Sequence, residues 1–152
     1  MSREFRFPVQ IAWEGGRRTS VSVEGKQPLP VATPREFHRE ADPQVWSPED
    51  AFVAAAGSCL AVTIVALAER GQLPLRDLDV CAEGVVGRRE DGRFGFLRIE
   101  QRVSLETDDA HAEAARELVA KAEEGCLVAV SLALPVETTV EVRTSPRAVA
   151  TV

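Results

Sequence analysis

Apolar and polar residues alternate along the first part of the chain in a pattern that predicts β-strands. Phe5–Trp13 places aromatic and aliphatic side chains on one parity, and Arg17–Val23 alternates in the same way after a pair of glycines. These two segments predict a β-hairpin, to which Leu29–Ala32 adds a short third strand. Residues 33–46 contain two prolines and several charges, and we expect a loop that is either functional or a simple connector.

The stretch from Ser47 to Gly71 predicts the central helix of the fold. Ser47 suits the N-cap, Pro48 suits the first helical position, and Gly71 suits the position past the end. From Ala51 to Ala68 there is no charge on any face, so we expect a helix that is buried all round. The length is marginal for a membrane span, but the run is alanine-rich and has no counterpart in the sequence. We therefore interpret it as a central helix that is wrapped by sheet or by a partner subunit.

Strands and helices alternate in the rest of the chain, and this order indicates an α+β fold. Gly95–Glu106 is the clearest strand, because one parity is mostly apolar and the other mostly charged, which indicates an antiparallel sheet. The other predicted elements are a strand over Leu78–Val86, a helix from Thr107 or Asp108 to about Glu124, a short helix over Leu127–Leu134 and a strand over Val136–Val142. Residues 1–152 fit a single domain, with a tail at 144–152 that has no packing pattern and is expected to be flexible.

Bulk composition excludes several classes of partner. The net charge of −6 argues against a nucleic-acid partner, because phosphate binding needs a basic patch. No apolar segment of signal-peptide length follows the N-terminal residues, so we expect a cytoplasmic protein with no membrane partner. In that compartment the three cysteines are expected to be thiols. Neither His38 nor His111 lies near a cysteine in the sequence, and no spacing typical of a metal site is present.

The cysteines are the candidates for chemistry, although a buried cysteine is most often a small hydrophobic residue. Cys59 lies in the middle of the central helix and Cys126 lies at a helix start, where the helix dipole lowers the pKa of a thiol. Two cysteines on separate helices could meet in the fold, one to attack a substrate and the other to resolve the product. Cys81 lies within a strand, and we interpret it as structural or incidental.

A reactive thiolate needs a positive neighbour, because a buried uncompensated anion is costly. The central helix supplies no cation near Cys59, so the hairpin arginines Arg17 and Arg18 are the candidates, and either would need an acid such as Glu49 or Asp50. Glu49 lies ten residues before Cys59, or about 15 Å along a straight helix. If Glu49 rather than Asp50 is that acid, we expect it to act through an arginine, which a partner chain could donate.

Two segments carry a resemblance to a known family. The first is Ser47–Asp50 (SPED) with the alanine-rich run into Gly57–Cys59 (GSC), and the second is Glu123–Leu132 (EEGCLVAVSL) followed by Pro135–Glu137 (PVE). In this order, with strands and helices between them, they resemble the signature of the OsmC/Ohr family, which comprises osmotically inducible protein C and the organic hydroperoxide resistance proteins. The resemblance spans roughly Trp13–Val142.

The resemblance implies an OsmC-like fold, in which antiparallel sheets wrap around a central buried helix and two chains form an intertwined homodimer. It also implies a thiol peroxidase that acts on organic hydroperoxides at the subunit interface, without a metal or an organic cofactor. Cys59 matches the peroxidatic cysteine, Cys126 the resolving cysteine and Glu49 the acid that orients the family's arginine. Arg17 matches that arginine best, with Arg18 as the alternative. The reductant implied is a dithiol, often a lipoylated protein.

Two other functions stay open on the residues alone. The same fold could bind a hydrophobic ligand in its interface pocket, with the thiols as bystanders. A cysteine hydrolase would need His38 or His111 as its base, and neither histidine lies in a recognisable motif.

Overall fold

The computed structural model describes residues 3–146 and contains six strands and three α-helices in that range. They are β1 Gln10–Gly15, β2 Arg18–Ser22, β3 Leu29–Ala32, α1 Pro48–Gly71, β4 Asp77–Arg88, β5 Phe94–Asp108, α2 Ala112–Gly125, α3 Leu127–Val130 and β6 Val136–Ser145; a 3-10 turn, Asp109–His111, precedes α2. The chain divides into two compact units, Met1–Phe52 and Val53–Val152. The interpretation of the whole chain as one domain stays a prediction.

The first unit contains the antiparallel sheet β1-β2-β3, and the predicted hairpin is confirmed. Gly15 and Gly16 have φ angles of 107° and 52°, which a residue with a side chain rarely adopts, so the glycine pair permits the tight turn. The predicted start of the first strand at Phe5 is wrong. Gln10 already pairs with Ser22, the last residue of β2, so the residues before Gln10 have no strand partner there.

Helix α1 begins where the sequence predicts. The Ser47 hydroxyl accepts a hydrogen bond from the Asp50 N–H at 3.0 Å, and the Asp50 carboxylate accepts one from the Ser47 N–H at 2.8 Å. This reciprocal cap satisfies two of the backbone donors at the helix start. At the other end Gly71 is still helical, and Gln72 with φ 54° takes the left-handed position that was predicted for Gly71. The N–H of Leu73 then closes the helix on the Ala68 carbonyl at 2.9 Å.

The single chain buries one stripe of α1 and not the whole surface that the sequence predicts. The buried residues are Ala56, Gly57, Leu60, Ile64 and Ala68. Val62 is 64% exposed and Val65 is 38% exposed, although both are apolar. Within the described residues α1 is long and apolar enough to cross a membrane, a test that the core helix of a soluble protein also passes.

The second unit contains a mixed sheet in the order β4-β5-β6. Strands β4 and β5 are antiparallel as predicted, but β6 runs parallel to β5, which corrects the expectation of a purely antiparallel sheet. The reason is the connection: the chain between β5 and β6 passes through α2 and α3 and returns as a crossover, which restores the original direction. The core lies between the inner faces of α1, β5 and α2 and includes Leu60, Ile64, Val103, Leu105, Ala115, Val119, Ala122 and Cys126.

Several predicted boundaries shift in this unit. Helix α2 begins at Ala112, because the Thr107 hydroxyl donates to the Pro74 carbonyl at 2.8 Å and Asp108 pairs with Arg76, so neither side chain caps the helix. Helix α3 ends at Val130, four residues earlier than predicted. Strand β6 includes positions 144 and 145, which were predicted to belong to a flexible tail; the rest of that tail, from residue 147, lies outside the described residues.

Candidate thiol site

The structure brings Cys59 and Cys126 close together. Cys59 lies in the middle of α1, and Cys126 lies between the last residue of α2 and the first residue of α3. Cys59 packs against the core cluster that contains Cys126, and each thiol shifts the pKa of the other. Both cysteines are free.

The short helix α3 fixes Cys126 in place. Cys126 has an extended backbone with φ −70° and ψ 103°, and its N–H donates to the Glu123 carbonyl at 3.3 Å. Its own carbonyl accepts a hydrogen bond from the Val130 N–H at 3.0 Å. Cys126 therefore ends one helix and starts the next, and its side chain, only 1% exposed, packs into the hydrophobic core.

The surroundings of Cys59 lower the pKa of its thiol. Burial acts to raise the pKa, but four donors outweigh it by stabilising the thiolate: the backbone N–H of Val128, the Cys126 thiol, the backbone N–H of Leu127 and the Thr63 hydroxyl. The same Thr63 hydroxyl lies 2.7 Å from the Cys59 carbonyl, so it is held beside the cysteine one helical turn along α1.

The surroundings of Cys126 raise the pKa of its thiol. Burial is the largest cause, and the neighbouring Cys59 sulfur adds to it as an acceptor and as a negative charge. The backbone N–H groups of Ala129 and Val128 act in the opposite direction without reversing the result. Cys59 is therefore the more acidic of the two thiols.

The predicted arginines and acid lie in the first unit. Arg17 occupies the hairpin turn and no acid pairs with its side chain among residues 3–146, whereas Arg18 pairs with Glu14 at 3.3 Å. Glu49 lies in the first turn of α1, and its Oε2 atom is buried with no hydrogen-bond partner in the described part of the chain. The predicted roles of Arg17, Arg18 and Glu49 stay predictions.

The other candidate residues, Cys81 and the histidines, contribute little to the site formed by Cys59 and Cys126. Cys81 is exposed on β4, and its thiol lies 3.4 Å from the Asp79 carboxylate. The groups that most strongly shift the pKa values of the Cys59 and Cys126 thiols include no histidine. In the described range, no group of three or more histidines, cysteines and acids is arranged to hold a metal ion.

Sequence reasoning missed two residues of the site. Thr63 follows Cys59 by four positions, so helical spacing alone could have placed its hydroxyl beside the cysteine. Gln101 lies on the buried face of β5 and lines a cavity of about 220 Å³ next to Cys126. Its signal in the sequence was a polar residue on the parity that otherwise holds Ile99, Val103 and Leu105.

Two thiols that influence each other, one of lowered and one of raised pKa, define a candidate two-cysteine redox site on an α+β fold. The family model of the OsmC-like proteins matches residues 41–141, which include both cysteines. The chain therefore belongs to the OsmC-like protein family, as its resemblance predicts.

Individual relatives agree with this assignment. The uncharacterized protein YmaD of Bacillus subtilis (strain 168) is 25% identical over 130 residues, which cover 82% of this chain and 85% of YmaD. An OsmC-like protein of unknown function from Vibrio cholerae has a similar fold, with a TM-score of 0.82 and 18% identity over 91% of this chain and 100% of its own. An organic hydroperoxide resistance protein from Elizabethkingia anophelis gives a TM-score of 0.75 and 20% identity over 95% and 100% of the two chains. These structures confirm the OsmC-like α+β fold.

Proposed function

We propose that this protein is a cysteine-based peroxidase that reduces organic hydroperoxides. The observation that carries the proposal is the proximity of Cys59 and Cys126, whose thiols influence each other and have opposite changes in pKa. A two-cysteine peroxidase needs one thiolate that attacks and a second, protonated thiol beside it. Membership of a family with members named organic hydroperoxide resistance proteins supports the choice of substrate.

The reaction proceeds in three steps. The Cys59 thiolate attacks the terminal oxygen of ROOH, the O–O bond breaks, and the leaving alkoxide takes a proton to become ROH while Cys59 becomes a sulfenic acid. The Cys126 sulfur then attacks the Cys59 sulfur, water leaves, and a disulfide joins the two residues. An external dithiol, such as a lipoylated protein, reduces this disulfide through a mixed disulfide and is itself oxidised. None of these steps requires a metal or an organic cofactor.

Arg17 and Glu49 complete the site in this proposal. The Arg17 guanidinium holds the thiolate, and Glu49 orients the arginine. The buried, unpartnered Oε2 of Glu49 supports this, since a buried carboxylate needs a cation or a hydrogen bond, and the Glu14 partner of Arg18 favours Arg17 over its neighbour. Because Glu49 lies about 15 Å from Cys59 along a helix, an arginine from a second chain is the natural bridge.

A homodimer in the cytoplasm is the assembled form that we propose. The exposed valines of α1, Val62 and Val65, support a second copy as their cover, because an uncharged helix is stable in water only when its apolar surface is buried.

A thiol count with cumene hydroperoxide tests the proposed activity. Reduced protein is treated with one equivalent of peroxide, and the free thiols are then counted and the disulfides mapped. We expect two thiols per chain to disappear and a Cys59–Cys126 disulfide to form, in wild type and in the Cys81→Ser control alike. If all thiols survive in wild type, the peroxidase proposal is wrong, and a hydrophobic-ligand-binding protein becomes the better assignment.

A further inference from the structure

A small pocket of about 220 Å³ lies beside α3 in the second unit. Most of its wall is apolar and comes from Leu60 on α1, Val130 on α3 and Leu134 and Val136 near the start of β6, while Cys126 also lines it. An engineered cavity of about 150 Å³ in another protein is large enough to bind benzene. The pocket beside Cys126 therefore has room for a phenyl group with a short branched substituent.

Two polar atoms without partners lie at this pocket. Gln101 on β5 and Thr138 on β6 are paired in register, so their side chains are neighbours on one face of the sheet, and both line the pocket. Gln101 Nε2 and Thr138 Oγ1 are buried and have no hydrogen-bond partner among residues 3–146. Gln101 is only 4% exposed, so bulk water does not satisfy its amide.

An unpartnered amide in this place is costly without a ligand. A buried polar group that lacks a partner loses its hydrogen bonds to water without replacement, whereas an apolar residue of similar shape would avoid this loss. Ile99 and Val103, the residues before and after Gln101 on the same parity, are fully buried and apolar, so a leucine would complete that face. A ligand oxygen in the pocket would supply the missing partner.

The charge at the pocket limits which oxygen can bind. Glu123 also lines the pocket, and its carboxylate disfavours a second carboxylate nearby. We propose that Gln101 and Thr138 form the polar end of a binding site for a neutral molecule that carries a hydroxyl or carbonyl oxygen on an apolar body. The Gln101 amide donates to that oxygen. This inference rests on the proposed function for its ligand: the alcohol that leaves from an organic hydroperoxide has this chemistry, and the pocket lies against the resolving cysteine.

The test uses 2-phenyl-2-propanol, the alcohol formed from cumene hydroperoxide, and tert-butylbenzene, in which a methyl group replaces the hydroxyl. Both are titrated into the reduced, ¹⁵N-labelled chain of 152 residues while the side-chain amide resonances of Gln101 are followed. We expect the alcohol to shift them. In Gln101→Leu the ratio of alcohol affinity to hydrocarbon affinity falls about tenfold, which corresponds to about 1.4 kcal/mol. Gln101→Leu also unfolds at the same or a higher temperature than wild type, because it removes an unpaired polar group.

A pair of threonine variants provides the matched control. Thr138→Val should lower the same affinity ratio, whereas Thr144→Val, at an exposed position further along β6, should leave it unchanged. The inference is overturned if the amide resonances do not move or if the ratio is the same in wild type and Gln101→Leu. These outcomes do not depend on catalysis. If the protein consumes peroxide but the affinity ratio is unchanged in Gln101→Leu, only the proposed binding site is wrong. If the protein binds the alcohol but consumes no peroxide, only the proposed peroxidase activity is wrong.

Discussion

Cys59 and Cys126 have the same side chain, and the fold gives the two thiols opposite acidities. The difference comes from hydrogen bonds rather than from a nearby cation of the second unit, because the largest stabilising groups for the Cys59 thiolate are backbone N–H groups, the Cys126 thiol and Thr63. Cys126 lies deeper in the core and faces the charge that Cys59 carries, so its pKa is raised. The direction of the difference supports Cys59 as the attacking thiol in the proposed reaction.

Removal of the Cys126 donor should make Cys59 less acidic. In Cys126→Ala the Cys59 thiolate loses a stabilising donor. At a pH below the titration midpoint of Cys59, the fraction of Cys59 present as thiolate should therefore fall about tenfold, as expected for one hydrogen bond to a charged group. Cys126→Ser keeps a donor and should retain most of the effect. The measurement is the pH dependence of iodoacetamide alkylation at Cys59, followed by peptide mass spectrometry. Equal midpoints for the alanine and serine variants would contradict this assignment.

The two hairpin arginines give a second prediction at the scale of single residues. Arg17→Met should slow peroxide consumption about a hundredfold, because removal of one preorganised donor from a developing charge has an effect of that order. Arg18→Met is the matched control and should change the rate by less than about threefold, since its partner Glu14 is exposed and such surface pairs contribute little. The rates are measured with cumene hydroperoxide and a dithiol reductant. If Arg18→Met loses more peroxidase activity than Arg17→Met, then Arg18 rather than Arg17 holds the thiolate.

At the scale of elements, the packing of α1 on the sheet depends on glycines that leave no room for a side chain. A Cβ atom on Gly84 in β4 would lie 2.5 Å from the Phe96 ring and 2.6 Å from Val53 at the start of the second unit. A Cβ atom on Gly57 in α1 would lie 3.2 Å from Ala82. The helix and the sheet can approach each other because these positions are glycine.

Gly84→Ala should therefore destabilise the protein by about 1–3 kcal/mol, the usual cost of overpacking a core. Gly71→Ala is the matched control: its Cβ meets nothing within 4 Å, the residue is helical, and alanine is favoured over glycine in a helix by up to about 1 kcal/mol. Urea unfolding of both variants measures the difference. The packing argument fails if Gly84→Ala is as stable as wild type.

The sequence predicts the elements that local chemistry specifies. Ser47 predicts the start of α1 because its hydroxyl and the Asp50 carboxylate form a cap within four residues, and the glycine pair predicts the β1–β2 turn. The sequence does not predict that β6 is parallel to β5, because strand direction depends on the path of the crossover through α2 and α3. It also cannot show that α3 ends at Val130, since its apolar run continues to Leu134.

The sequence predicted only those parts of the candidate site that depend on local position in the chain. The positions of Cys59 and Cys126 at a helix centre and a helix start suggested a contact, and the structure brings the two residues together. The four donors around Cys59 include two backbone N–H groups, which every residue except proline carries and no sequence pattern marks. Gln101 is different, because a polar residue among apolar residues on one parity of a strand is visible in the sequence itself.

At the scale of the whole molecule, the two thiols link folding stability to pH. The pKa of Cys59 is lowered in the folded chain, so between its folded and unfolded pKa values the unfolded chain binds more protons and the free energy of unfolding rises with pH. This contribution is complete above the unfolded pKa and is lost as pH falls through the folded pKa. The raised pKa of Cys126 has the opposite sign: its contribution is complete below the unfolded pKa and is lost as pH rises through the folded pKa.

The stability difference between wild type and Cys59→Ser should therefore grow as pH increases from about 6 toward the ordinary cysteine pKa of about 8.5. Urea titrations in a reducing buffer at several pH values measure this difference. Cys81→Ser, the same substitution at an exposed position, controls for the general effect of losing a thiol. A difference that stays constant over this range would show that the Cys59 thiolate is not stabilised by folding.

The apolar surface of α1 leads to the last prediction, which concerns the assembly. If a second chain covers Val62, which is 64% exposed in the single chain, then Val62→Glu buries an unpaired charge in the dimer but leaves it in water in the monomer. We expect wild type to have twice the mass of one chain by light scattering after size-exclusion chromatography, and Val62→Glu to dissociate to monomers. Ala120→Glu adds the same charge to an exposed position of α2 and should remain dimeric. If Arg17 reaches Cys59 from the partner chain, Val62→Glu must also lose peroxidase activity, and an active monomer would place the arginine within one chain.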